Sequence, residues 1–252
     1  MAAPAPAPAP TQYDSIARIY TDATESSLHN TYIERPAMRQ LIGNVTGLDV
    51  LDLGCGTMIL GSKLLEEGAA SVTGVDGSSE MLHLASQRIK AEWKPRVSLA
   101  EHDLNRPLHL PDAKMYDLIV SSLALHYLED WKPVLGSAHI LLKPRGRFIL
   151  SVHHPFADWV HHPESGSYHS GPTLLHEDWD VGEQGTIRIS FYRRSLAEIC
   201  RAFTDAGWII QRIEESKPTE ESKALFEAER WERVAEKPNF ILFVLVKKEQ
   251  YQ

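Results

Sequence analysis

Cysteine is scarce in this 252-residue chain, with only Cys55 and Cys200, which lie far apart. That count argues against a disulfide framework of the kind that stabilises small secreted domains. Apolar residues never continue for the ~20 positions that a membrane helix needs, so no transmembrane segment is expected. The first residues, MAAPAPAPAP, lack the basic and apolar blocks of a signal peptide, so a cytoplasmic protein is expected.

Positive charge is also scarce: 26 lysines and arginines stand against 34 acidic residues, a net charge of −8. Without a basic stripe, neither nucleic acid nor an acidic membrane surface is an expected partner. The length suits one large α/β domain with an inserted cap. Alternating Ala and Pro predict a disordered tail over residues 1–12, which leaves residues 13–252 as a single domain.

The chain is organised around Val50 to Met58, which reads VLDLGCGTM. A short apolar run ends in Asp52, and Gly54 and Gly56 follow. The apolar run predicts a buried parallel strand, and the glycines allow bare backbone to approach a ligand. The amides that open the next helix would then point at that ligand.

Strand, turn and helix alternate from here to residue 152, and again from residue 195 onward. This pattern predicts a doubly wound, Rossmann-like α/β fold with a seven-stranded sheet and helices on both faces. A last strand with no helix after it is expected to run antiparallel. The predicted strands are 50–53, 71–75, 97–100, 116–121, 147–152, 208–213 and 240–246, and the predicted helices are 59–67, 80–93, 130–142, 195–205 and 220–235.

Two segments stand outside the alternation. Residues 13–43 are predicted to be helical over 13–20 and 24–42, either as a packed helix or as a lid over the ligand. Residues 156–194 are too long for a plain connection and predict an inserted substrate cap. Within this cap, residues 176–179 and 186–192 can pair as a hairpin.

Carboxylates end the second and third strands. Asp76 follows Gly56 by 20 residues, the position at which doubly wound folds hold a ribose diol. Asp103 can accept from an exocyclic amine while Leu104 flanks a purine ring. The strand ends are adjacent in such a fold, so the carboxylates should line one crevice that binds a nucleoside.

Four motifs in this order resemble the class I S-adenosylmethionine-dependent methyltransferases: VLDLGCGTM, VTGVDGSSEML, the Asp103-Leu104 pair and YDLIVSSLALHYLED. The similarity covers residues 48–152 strongly. It implies S-adenosylmethionine as cofactor, an antiparallel seventh strand, and an amino-terminal segment (YDSIARIY) folded over the cofactor.

The resemblance also implies a role for each motif residue. Asp52 would lie near the cofactor's amino group, Asp76 would hold the ribose hydroxyls, and Asp103 would receive the adenine amine. Ser121 would offer its backbone at the methionine end. The implied cofactor-binding residues are Tyr13, Asp52, Gly54, Cys55, Gly56, Asp76, Gly77, Met81, Asp103, Leu104 and Ser121.

The chain departs from the family at Met58, where a third glycine is frequent. A dinucleotide fingerprint needs that glycine so that a helix can approach the pyrophosphate. The motifs around Asp103 and Ser121 have no part in that fingerprint either. The sequence therefore favours a methyltransferase over a nicotinamide enzyme.

Histidines follow the fourth and fifth strands, where acceptors bind in such folds. His154 is the first candidate for a general base, with His153 and His126 next, because the HHPF sequence resembles small-molecule methyltransferases with a His-Pro after that strand. A structural role for each is an equal alternative. The residues expected near the acceptor are Tyr20, Trp159, Tyr168, Trp179 and Tyr192.

Six of the twelve histidines lie between His153 and His176, but their spacing matches no compact metal motif, so no metal is expected. The sequence favours methylation of a small molecule, an aromatic or prenylated metabolite of secondary metabolism. A protein-directed methyltransferase and a non-catalytic cofactor-binding module are the alternatives. The acceptor atom and the oligomeric state stay open.

Overall fold

The computed structural model describes residues 13–25, 27–110, 114–181 and 185–248, so the expected Ala/Pro tail lies outside the described residues. Within them, seven strands form one sheet and two more form a separate hairpin. The strands are β1 (Asp49–Leu53), β2 (Ser71–Asp76), β3 (Val97–Glu101), β4 (Tyr116–Ser122), β5 (Leu142–His153), β6 (Thr173–Asp180), β7 (Thr186–Arg193), β8 (Trp208–Glu215) and β9 (Phe240–Lys247).

The sheet has the strand order β3-β2-β1-β4-β5-β9-β8. Neighbours from β3 to β5 run parallel, whereas β9 runs antiparallel to both β5 and β8. The predicted seven-stranded sheet with an antiparallel last strand is therefore confirmed. The chain proceeds outward from β1 to β3 and then crosses back to β4, which reverses the strand order beside β1. Ligands of open α/β sheets bind at such a switch point.

Helices cover both faces of the sheet, as predicted. Val50 and Leu51 are both fully buried but belong to different apolar cores, because successive side chains of a strand point to opposite faces. None of the described helices is long and apolar enough to cross a membrane. They are α1 (Ala17–Glu25), α2 (Arg35–Ile42), α3 (Ile59–Glu66), α4 (Ser79–Arg88), α5 (Lys132–Leu141), α6 (Pro155–His161), α7 (Leu196–Asp205) and α8 (Ala228–Ala235).

Two predicted helices are interrupted. In residues 13–43, hereafter the lid segment, a π-helical turn (Asn30–Glu34) interrupts the helical region predicted over 24–42 and separates α1 from α2, which has Pro36 in its first turn. The helix predicted over 220–235 is also divided, into a 3-10 turn (Glu220–Ala224) and α8. The indole of Trp231 donates to Ser222 Oγ at 2.8 Å and folds this turn against the helix.

The predicted hairpin is present as β6 and β7, with Trp179 opposite Ile187. Its connecting residues 182–184 lie outside the described residues. Ile189 and Phe191 are fully buried and share an apolar cluster with Ile16 of the lid segment. The hairpin therefore packs against the lid segment, which it supports from outside the main sheet.

Candidate active site

A cavity of about 190 Å³ lies at the carboxyl ends of β1 to β4, and the lid segment forms its other wall. Ten of the eleven predicted cofactor-binding residues line it, and Ser121 does not. Ser121 is fully buried and its hydroxyl donates to the Leu53 carbonyl at 2.8 Å, whereas Ser122 lines the cavity. The fold thus brings the glycine turn and the strand-end carboxylates to one place.

The glycine turn presents its backbone to this cavity. The amides of Gly54 and Cys55 both donate to the Val75 carbonyl, at 2.8 and 3.0 Å, which fixes the turn against β2. A Cβ on Gly54 would lie 2.3 Å from Ala124 Cβ, whereas one on Gly56 would meet no atom within 4 Å. Gly54 is therefore required for packing, and Gly56 leaves space for a ligand.

Met58 begins α3 in the left-handed region, with φ 62° and ψ 30°. This conformation costs a residue with a Cβ about 1–2 kcal/mol. The Met58 side chain is fully buried, and its sulfur lies 2.8 Å from where a Cβ on Gly61 or Gly74 would stand. Because those glycines make room for the side chain, its burial offsets the backbone strain and the turn keeps its shape.

Asp76 is held in place by backbone amides. Its Oδ2 accepts from Gly56 N at 2.8 Å and its Oδ1 from Ser78 N at 2.9 Å. Burial raises the pKa of Asp76, and these amides oppose that rise. Each oxygen keeps a further acceptor position, so an oriented carboxylate can receive the two hydroxyls of a ribose.

Asp52 is a buried carboxyl with one unpartnered oxygen. It is 1% exposed, and its Oδ2 has no hydrogen-bond partner among the described residues. Burial, followed by the charges of Asp76 and Glu34, raises its pKa to about 7. A ligand that brings an ammonium group would supply the missing partner and favour the ionised form.

The third carboxylate adjoins an apolar surface. Asp103 Oδ1 accepts from the backbone and side-chain nitrogens of Asn105, at 3.0 and 2.9 Å, which fixes its orientation. Leu104 and Met81 are buried and line the same part of the cavity. A purine ring with an exocyclic amine matches this combination. With the orphaned Asp52 and the open face at Gly56, the residues present fit S-adenosylmethionine.

Sequence reasoning missed Glu34, the last residue of the π-helical turn. It lines the cavity and is only 1% exposed. The hydroxyls of Ser122 and Ser151 donate to its Oε1, at 2.8 and 2.6 Å. Burial raises the pKa of Glu34, and these two hydrogen bonds oppose that rise.

Tyr13, Tyr20, Tyr127 and Trp179 form an aromatic wall. The ring centroids of Tyr13 lie 4.9 Å from Tyr20 and 5.3 Å from Tyr127, both edge to face. Trp179 stacks on Tyr20 at 5.9 Å. The three tyrosines line the cavity, and burial raises the pKa of each, so their hydroxyls stay protonated. The Tyr13 hydroxyl has no partner among the described residues.

Hydrogen bonds to Asp14 also hold the start of the lid segment in place. Asp14 Oδ1 accepts from Ser78 Oγ at 2.6 Å and from Glu80 N at 3.4 Å. Ser78 itself caps α4, and its backbone amide donates to Asp76. This contact therefore joins the lid segment to the loop that carries Asp76.

Two of the three candidate base histidines lie in a separate, smaller pocket. His126 and His153 stack with their centroids 3.9 Å apart. Burial lowers the pKa of His126, whose ring nitrogens have no partner among the described residues. Burial also opposes protonation of His153, but the charges of Asp158 and Glu177 raise its pKa overall. Neither histidine lines the main cavity.

His154 caps a helix instead of facing the cavity. Its Nδ1 accepts from Phe156 N at 3.3 Å at the start of α6. Nε2 therefore carries the proton and donates to Glu215 Oε1 at 2.8 Å. The sequence placed His154 at the acceptor pocket, and the structure places it outside the cavity. A base role for any of the three histidines stays a prediction.

Four of the five predicted substrate residues do not line the cavity: Trp179 reaches it only through Tyr20, on which it stacks, and the other three have different contacts. Trp159 donates to a loop carbonyl at 3.0 Å and packs edge-on against Tyr168 at 5.9 Å. The Tyr168 hydroxyl accepts from Leu196 N at 2.9 Å, and Tyr192 is buried beside the His126–His153 pair. Their contact with substrate stays a prediction. In the part of the chain that the structure describes, no three His, Cys, Asp or Glu residues are arranged to hold a metal ion.

One domain family and several known proteins are similar to this chain. A methyltransferase domain model matches residues 50–146, which span β1 to β5. Among solved structures, the chain is similar to an S-adenosylmethionine-dependent methyltransferase from Listeria monocytogenes. The TM-score is 0.69 and the identity is 26%, with 85% of this chain and 96% of that chain covered.

Two relatives are similar in sequence. An uncharacterized protein of Haemophilus influenzae is 38% identical over 166 residues, which are 65% of this chain and 61% of that protein. A demethylmenaquinone methyltransferase of Lactococcus lactis is 32% identical over 118 residues, which are 45% of this chain and 46% of that protein. The chain thus spans roughly half of the length of the relatives that it matches.

Proposed function

Because this chain belongs to the class I S-adenosylmethionine-dependent methyltransferases, we propose that it transfers a methyl group from that cofactor to a small-molecule acceptor. The observation that carries the proposal is the cavity in which Asp52, Asp76 and Asp103 meet beside the glycine turn. The three carboxylates match the amine, the ribose diol and the adenine amine of the cofactor, in the order of their strands.

When bound, S-adenosylmethionine supplies a methyl group on a sulfonium that is open to in-line displacement. The protein's task is to bind and align the two reactants, and such alignment can lower a barrier by about 7–11 kcal/mol. Asp52 and Asp76 hold the cofactor at both sides of the reacting centre. The lid segment, held by the hydrogen bond between Ser78 and Asp14, forms one wall of the cavity.

The acceptor is proposed to be an aromatic or prenylated metabolite. The aromatic wall supports this choice, since ring faces and edges bind apolar groups of similar shape. The lid segment supports it as well, because Tyr13, Tyr20 and Glu34 line the cavity opposite the strand ends.

The proposal is tested by isothermal titration of the protein with S-adenosylmethionine and with its demethylated product. Asp76→Ala removes the carboxylate that receives the ribose hydroxyls. We expect binding of both ligands to weaken by about 2–3 kcal/mol, or 30- to 150-fold, as charge-assisted hydrogen bonds are lost.

Asp205→Ala is the matched control, because Asp205 is exposed at the end of α7 and lies outside the cavity. Its affinity for both ligands should equal that of the unaltered protein. An unaltered protein that binds neither ligand would show the proposal to be wrong.

A further inference from the structure

One charged group of the cavity has no role in holding the cofactor. Glu34 accepts from Ser122, the last residue of β4, and from Ser151, its register partner in β5. Asp76 and Asp103 lie over β2 and β3, on the other side of β1. Glu34 therefore stands at the opposite side of the switch point from the nucleoside carboxylates.

The carboxyl of Glu34 is only half satisfied. Both serine hydroxyls donate to Oε1, and no described residue donates to Oε2. The neighbouring Arg35 lines the cavity, but its guanidinium donates to the carbonyls of Thr24 and Glu25. A carboxylate that is 1% exposed is costly unless a hydrogen-bond donor or a cation pairs with it. The cavity is the direction from which such a partner can come.

The charges near Glu34 are of both signs. The charge of Glu34 raises the pKa of both Asp52 and Tyr20. The guanidinium of Arg35, in contrast, opposes the rise that burial causes in the pKa of Glu34. Because that guanidinium donates to backbone carbonyls, Glu34 Oε2 still presents negative charge, and an anionic acceptor such as a phenolate or a carboxylate would be repelled by it. An amine brings N–H donors and positive charge, and tyrosine faces attract cations as well.

We propose that Glu34 binds the acceptor, and that the acceptor's methyl-accepting group is a primary or secondary amine. The inference rests on the proposed methyl transfer. The amine enters as an ammonium ion and gives a proton to Glu34 Oε2. Its freed electron pair forms the N–CH₃ bond as the S–CH₃ bond of the sulfonium breaks, and the bonding pair stays on sulfur as a thioether. Glu34 releases its proton to water after the product leaves.

The test compares Glu34→Gln with the unaltered protein. The substituted amide oxygen can still accept from Ser122 and Ser151, so the variant keeps its internal hydrogen bonds and loses only its charge and basicity. Glu229→Gln is the control, because Glu229 is exposed on α8 and lies outside the cavity. The probes are 2-phenylethylamine and 2-phenylethanol, which differ only in the amine and the hydroxyl.

Three measurements separate the possible outcomes. Calorimetry gives the affinity for the demethylated cofactor, then the affinity of that complex for each probe, and transfer of labelled methyl gives the rate. We expect the amine alone to bind and to be methylated. Glu34→Gln should lower both amine binding and amine methylation about 100-fold and leave cofactor affinity within about twofold.

Equal methylation of the alcohol, unchanged amine methylation in Glu34→Gln, or no amine binding to a protein that binds the demethylated cofactor would each overturn the inference. A protein that does not bind the demethylated cofactor would instead contradict the proposed function itself. The two failures are therefore distinguishable in the first titration.

Discussion

At the scale of single residues, Asp52 makes cofactor binding depend on pH. Its pKa is about 7 in the free protein because burial and two neighbouring carboxylates disfavour the charge. The cofactor's ammonium favours that charge, so binding lowers the pKa and releases a proton. Affinity for the demethylated cofactor should rise up to about tenfold per pH unit below pH 7 and level off above it.

Calorimetry between pH 5.5 and pH 8.5 checks this dependence. The control ligand is 5′-methylthioadenosine, which has the nucleoside but no ammonium group and should bind without this pH step. Asp52→Asn should flatten the profile and weaken binding at pH 8. A profile that is flat for the unaltered protein would contradict the role of Asp52.

The residues of the cavity could be predicted only in part from the sequence. The sequence shows clear apolar runs for the strands next to Asp52, Asp76 and Asp103. The fold confirms that the carboxyl ends of these strands are adjacent. Glu34 stayed hidden because it lies in a π-helical turn. One extra residue in such a turn shifts the helix by about 100°, so a 3.6-residue period does not tell which way residue 34 faces.

At the scale of elements, the His154 side chain connects the start of α6 to the end of β8 through two hydrogen bonds. Replacing it by Ala removes the cap on the Phe156 amide and the hydrogen bond to Glu215. We expect a loss of about 0.5–2 kcal/mol in the free energy of unfolding, measured by urea denaturation. Methyl transfer should keep the pH profile of the unaltered protein.

Glu215→Gln is the companion variant, since it leaves the cap intact and alters only the second contact. It should cost less stability than His154→Ala. Loss of an ionisation from the rate profile of His154→Ala, with stability unchanged, would instead support the base role that the sequence assigned to this histidine.

Elements also differ in how well their sequences define them. Strands β1, β2 and β4 are short apolar runs buried on both sides, and their positions were predicted within a few residues, whereas β5 begins at Leu142, five residues before its predicted start. The helix before β9 was predicted as continuous, and the π-helical turn of the lid segment was not predicted, because local periodicity does not reveal the tertiary contacts that interrupt a helix. The Trp231–Ser222 hydrogen bond is one such contact, and it joins residues nine positions apart.

At the scale of the whole molecule, the cavity has two sides with different groups, and the switch point lies between them. The strands on one side, β2 and β3, carry the groups that fit a nucleoside, and β4 and β5 on the other carry the serines that hold Glu34. The sequence predicts the nucleoside side of the cavity but not the side at Glu34, because the lid segment that carries Glu34 precedes the first strand and lies outside the strand–helix alternation. Its place above both halves depends on packing against the hairpin.

The latch between Asp14 and Ser78 has a kinetic consequence. Because the lid segment lines both halves of the cavity, we expect release of the spent cofactor to require movement of this segment, so that opening rather than chemistry sets the turnover rate. Rapid-quench measurements should then show a burst of methylated product followed by a slower steady phase. Asp14→Ala should speed the steady phase and shrink the burst, whereas a linear time course from the first turnover would mean that the chemical step is slower than exchange.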